Sequence, residues 1–96
     1  MDNKFDIGQF VNTLTEQSVV DGLVGRVKKK RKQMKISQRL LAQKSGVAYS
    51  SIRRFETTGE ISLSSLLKIA HALDSLKDFE GLFKGQIIVS LKDFEG

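Results

Sequence analysis

Side chains able to do chemistry are sparse in this chain. His71 is its only histidine and it has no cysteine, so neither a histidine cluster nor a thiolate site can hold a metal, and no disulfide can form. His71 stands beside the apolar stripe of a helical segment, where a structural or exposed role is expected. Two carboxylate pairs, Asp78 with Glu80 and Asp93 with Glu95, have i, i+2 spacing, which places the partners on different faces of a helix. The serines have no general base in a recognisable pattern, and no glycine-rich phosphate loop is present. No catalytic residue, metal site or cofactor is expected.

Positive charge is the chemistry this chain does have. The net charge is +5, but it is unevenly spread. From Arg26 to Arg54 there are eleven Lys or Arg and no Asp or Glu, while the segments on either side each sum to −3. A stretch of one sign makes a concentrated field suited to a polyanion such as nucleic acid. The run Lys28-Lys29-Lys30-Arg31-Lys32 lies within a helical pattern, which spreads these side chains around the helix rather than gathering them in one patch. Lys30 and Lys35 are the favoured phosphate contacts of this group.

The elements that must carry these groups are helical. The chain has no proline, and its apolar residues recur at helical spacing. Val20, Leu23, Val24, Val27 and Met34 form one stripe of a helix running from Ser18 to near Gln33. Ser37 reads as the N-cap of a short helix through about Lys44, closed by Ser45-Gly46, where glycine permits a sharp left-handed turn. A third helix is expected from Tyr49 to Glu56, with Ile52 and Phe55 inward, and Thr57-Thr58-Gly59 ending it. Ser62 caps a fourth, carrying Leu63, Leu66, Leu67, Ala70 and Leu73. Ser75 and Asp78 have capping-box spacing, with Asp for the usual Glu, and predict a fifth helix through Phe79, Leu82 and Phe83.

Ninety-six residues make one domain with short tails. Residues 18–84 form that domain. Residues 1–17 read as an arm or a short helix, and 85–96 as a tail. In the tail Gln86-Ile87-Ile88-Val89 is β-prone, and Ser75–Gly81 (SLKDFEG) recurs unchanged at Ser90–Gly96. The tail is expected to be a local duplication; the sharper reading adds a strand or short helix to a partner surface. No apolar run approaches the roughly 18 residues that cross a membrane. The opening MDNKFD is acidic where a signal peptide is basic, so a cytoplasmic protein is expected.

Two short helices joined by a glycine turn make a helix-turn-helix. The pair must cross closely, and Ala42 supplies a small residue there. Leu41, Val47 and Ile52 bury the inner face, which leaves the outer face of the third helix free to enter a major groove. The segments RVKKKRKQMKISQRLLAQKSGVAYSSIRRFE and ISLSSLLKIAHAL resemble the Cro and phage-repressor type of helix-turn-helix domain, also called the XRE family. The resemblance covers residues 26–83. It implies an all-α, five-helix lambda-repressor-like fold that binds double-stranded operator DNA, usually as a two-fold dimer.

The resemblance also implies roles. Gln38 matches a glutamine that touches a phosphate and braces the third helix. Ser37, at the same helix start, leaves backbone N–H groups for a phosphate. Tyr49, Ser50 and Arg54 match base-reading positions, with Arg54 suited to guanine O6 and N7. Ser51 and Arg53 flank them as backbone contacts. Arg31 lies on the inward stripe of the first helix; in the family this position pairs with the glutamate closing the third, here Glu56. One departure stands out: the family commonly has glycine two residues after that glutamate, whereas Gly59 comes three after Glu56 and Glu60 follows with a negative charge. Phosphate contacts from this loop are not expected beyond the Thr57 and Thr58 hydroxyls and backbone amides. The expected function is a dimeric repressor, with Leu82, Phe83, Ile87 and Val89 as dimer or partner surface. The alternative is an antitoxin that also neutralises a protein toxin, using the tail as the contact.

Overall fold

The computed structural model describes residues 14–85. The arm before residue 14 and the tail after 85, with Ile87 and Val89, lie outside the described residues. Four α-helices are found among the described residues: α1 (Glu16–Gln33), α2 (Gln38–Ser45), α3 (Tyr49–Thr58) and α4 (Leu63–Ala72), followed by one 3-10 turn, Leu76–Phe79. The fold is all-helical. None of these helices is long and apolar enough to cross a membrane.

α1 starts two residues earlier than the apolar stripe suggests, because Thr15 is its cap. The Thr15 hydroxyl accepts from the Ser18 N–H at 3.0 Å, and the Ser18 hydroxyl accepts from the Thr15 N–H at 2.9 Å. At the other end the stripe misplaces Met34. The Ile36 N–H bonds to the Arg31 carbonyl at 3.1 Å and that of Lys35 to Lys32 at 3.0 Å, with Lys35 left-handed at φ 59°. This is a Schellman closure. It turns the chain so that Ile36 enters the core while Met34 stays 41% exposed.

α2 opens where Ser37 accepts from the Leu40 N–H at 3.0 Å and closes at Gly46, φ 78°. α3 outlasts the expected end at Glu56. The Thr57 and Thr58 hydroxyls donate back to the Arg53 and Arg54 carbonyls at 2.8 Å each, so these residues extend the helix rather than stop it. Gly59 ends it at φ 85°. A methyl group on Gly59 would also collide with the Val20 side chain of α1. This glycine therefore permits both the turn and the close approach of α1.

Ser62 caps α4 through the Ser65 N–H at 3.1 Å. The buried stripe of α4 is Leu66, Ile69, Ala70 and Leu73, an i, i+3, i+4, i+7 set. Leu63, expected inward, sits on the first turn and is 66% exposed, while Ile69 supplies the fully buried side chain.

The expected fifth helix is corrected to a single 3-10 turn. Ser75 makes no side-chain cap; its hydroxyl donates instead to the Leu73 carbonyl at 3.0 Å. No residue of the turn is buried and only Phe79 is half-buried, too little apolar surface to hold a longer helix in place. Phe83 then takes a left-handed φ of 64° and is wholly exposed.

The core gathers Ile36, Leu41, Val47, Ile52, Ile69 and Leu73, with Val27, Ala42, Ile61 and Ala72 packed against it. α2 packs on α3 and α4, and α1 packs on α3. Fully burying a large apolar side chain contributes about 1.5–3 kcal/mol, and on α3 the residues that make this contribution are Ile52 and Phe55.

Candidate nucleic-acid interface

α3 has two chemically distinct faces. Ile52, Phe55 and Glu56 are buried. Ser50, Arg53, Arg54 and Thr57 are exposed, and Tyr49 and Ser51 are half-buried. The buried set is i, i+3, i+4, so one stripe anchors the helix and the rest of its circumference faces outward.

A buried charge cluster fixes that anchor. Arg31 Nε donates to Glu56 Oε2 at 2.8 Å, Arg31 Nη2 donates to Glu56 Oε1 at 2.9 Å, and Arg31 Nη1 donates to the Ile36 carbonyl at 3.0 Å. Gln38 Nε2 adds a bond to Glu56 Oε1 at 2.9 Å. The Arg31 and Glu56 side chains are 10% and 4% exposed. Three elements therefore meet on one carboxylate: the end of α1, the first residue of α2, and α3. Burial pushes the Glu56 carboxyl up, but the hydrogen bonds from Arg31 and Gln38, with the charges of Arg31 and Lys28, outweigh it and hold the pKa below the ordinary carboxylate value. The fork of Arg31 suits this role because it meets both carboxylate oxygens at once.

At the start of α2 the Ser37 hydroxyl is engaged by the Leu40 N–H. The N–H groups of Gln38 and Arg39 lie in the same first turn, where an α-helix has no internal acceptors for them. Arg39, not singled out from the sequence beyond its place in the basic stretch, is brought to α3: its guanidinium lies 4.2 Å from the centroid of the Tyr49 ring. Arg53 lies 5.7 Å from the same centroid. Two cations on one aromatic ring restrict Tyr49 by an attraction of about 0.5–1 kcal/mol each at exposed sites. Only a view across two helices could have revealed this contact.

Arg54 is also engaged. Its Nε donates to Glu60 Oε1 at 3.1 Å, and its Nη2 donates to the same oxygen. Both side chains are about two-thirds exposed. The hydrogen bond and the charge of Glu60 hold the Arg54 pKa above its ordinary value. The acid that the sequence marks as unfavourable to phosphate is thus seated on the expected base reader. Among the predicted partner residues, Leu82 and Phe83 are exposed. Among the described residues no group of three or more His, Asp or Glu could hold a metal ion.

An apolar bundle that presents a basic, polar helix after a tight glycine turn defines a helix-turn-helix DNA-binding domain. Residues 27–79, more than half of the chain, match the family model described as helix-turn-helix; the protein belongs to that family, in its Cro-like or XRE branch. It is a DNA-binding domain of the kind found in transcription regulators. No curated protein and no solved structure matches the chain.

Proposed function

We propose that the protein represses transcription by binding a palindromic operator as a homodimer, with α3 of each protomer in a major groove. The exposed face of α3 carries this reading: Ser50, Arg53, Arg54 and Thr57 all face solvent, while the opposite stripe is locked by the Arg31–Glu56 pair. Tyr49, Ser50 and Arg54 read base edges. Ser51, Arg53 and Thr57 contact the sugar-phosphate backbone, as do Ser37 and Gln38 at the start of α2. A protomer of this size reads half a site, and two-fold symmetry supplies the other half about 34 Å away. The exposed Leu82 and Phe83 support a dimer surface continued by Ile87 and Val89.

Selection of bound duplexes from a random pool tests this reading. A palindrome with half-sites one helical turn apart is expected. With about four to six phosphates neutralised, the log–log salt slope should be about −4 to −5 per monomer. Binding without base preference, or one monomer per operator at micromolar concentration, would overturn it. The same apolar end could instead engage a toxin protein, making the chain an antitoxin. That reading requires a second protein to co-purify with the full chain and to be lost when residues 85–96 are removed.

A further inference from the structure

Glu60 lies six residues beyond Arg54, a spacing that a continuous helix does not bring together. Two features of the turn do so. Gly59, at φ 85°, reverses the chain out of α3. The Thr58 hydroxyl then donates to the Arg54 carbonyl at 2.8 Å and accepts from the Glu60 N–H at 3.1 Å. The backbone of Glu60 is thus linked through one hydroxyl to the residue whose side chain it holds. Ser51, Ile61, Ser62 and Ser65 line the shallow depression around the pair, and none of them carries a charge to compete for either partner.

The contact uses a particular edge of the guanidinium. A guanidinium has five N–H groups in a rigid fork. Glu60 takes the Nε–H and one N–H of Nη2, which together form the side edge. The terminal edge, one N–H of Nη1 and the second of Nη2, is left over. Two parallel donors on that edge match the O6 and N7 acceptors that guanine shows in the major groove.

We infer that Glu60 is a positioning residue for Arg54 and sets the protein's choice of guanine. It fixes the guanidinium so that its terminal edge meets the base. Its negative charge also repels phosphate, which keeps Arg54 from settling on the DNA backbone, where it would carry no sequence information. This inference rests on the reading of Arg54 as a base contact, and the two can fail separately.

The test measures dissociation constants of the full chain for the selected operator and for single-base variants at every position. It compares wild type with Arg54→Ala, Glu60→Gln and Glu60→Ala. Glu60 is exposed, so all variants are expected to melt as wild type does. Arg54→Ala should abolish the preference for guanine at one position of each half-site. Glu60→Gln and Glu60→Ala should bind every duplex more tightly, because a repulsive charge is gone. At the position read by Arg54 alone, their preference for guanine should fall by about three- to tenfold, since the ordering of a long side chain is no longer supplied in advance. A Glu60→Ala protein, which has no acceptor for Arg54, that keeps full discrimination at that position, whatever its affinity, overturns the positioning role. An Arg54→Ala protein with no position-specific loss overturns the underlying base contact instead.

Discussion

Glu56→Gln keeps the shape of the side chain and removes its charge. In the folded protein it leaves the Arg31 guanidinium, whose side chain is 10% exposed, with the Ile36 carbonyl and one amide oxygen as acceptors. The amide NH2 must then face Arg31 Nε, or Arg31 Nη2 together with Gln38 Nε2, and all of these are donors. Two charge-assisted bonds are weakened, each worth about 1.5–3 kcal/mol, and breaking a buried pair costs about 3–5 kcal/mol. The two routes agree. Domains of this size are stable by roughly 5 kcal/mol or somewhat more, and each kcal/mol shifts the melting point by about 4–8 °C. Thermal melts by circular dichroism should therefore show Tm lower by at least about 12 °C.

Because the folded Glu56 pKa is depressed, a proton binds the unfolded chain first. The stabilisation is complete above the unfolded value near pH 4.3 and is lost as pH falls through the lower, folded value. The gap between wild type and Glu56→Gln should thus stay constant between about pH 6 and 8 and narrow below about pH 4. Replacing both Arg31 and Glu56 by Met should cost less than either single change, since no lone charge stays buried. A Glu56→Gln protein within about 1 kcal/mol of wild type at pH 7 would refute the claim that this pair fixes α3 to the scaffold.

The two turn glycines should differ under substitution. Gly46→Ala meets open space and should cost only the left-handed backbone, about 1–2 kcal/mol. Gly59→Ala adds the collision with Val20 and should cost about 2–4 kcal/mol, partly recovered by Val20→Ala; equal losses in urea denaturation would count against the close approach. Lys35→Gly should raise stability by up to about 1 kcal/mol, because Lys35 is already left-handed and glycine adopts that backbone without strain. Ser37→Ala should lose the α2 cap and about 1 kcal/mol. Ser37→Asp should keep the stability but weaken DNA binding, by setting a negative charge where a phosphate is expected; unchanged affinity would remove Ser37 from the interface.

Local signals in the chain are read correctly where the physics is local. The Ser37 and Ser62 caps, the left-handed Gly46 and Gly59, and the inward stripe of α4 from Leu66 to Leu73 each depend on a few neighbouring residues. Errors gather at element ends. Met34 and Leu63 continue a helical period, but the helix stops or starts there, so the side chain leaves the buried face. Ser75 and Asp78 have the spacing of a cap, but the hydroxyl finds a nearer acceptor in the Leu73 carbonyl.

By itself the sequence determined an all-helical domain, the order of its helices, a basic stretch free of acids, and the inward direction of Arg31. Periodicity, caps and glycines act over one or two turns, and such short-range preferences survive without knowledge of the fold. The tertiary structure alone decided which groups meet. Gln38 joins Arg31 on Glu56, Arg39 covers Tyr49, and Glu60 turns back to hold Arg54. These contacts arise from how helices cross and how one turn reverses, and hydrogen bonds a few ångströms long depend on geometry that residue spacing does not specify.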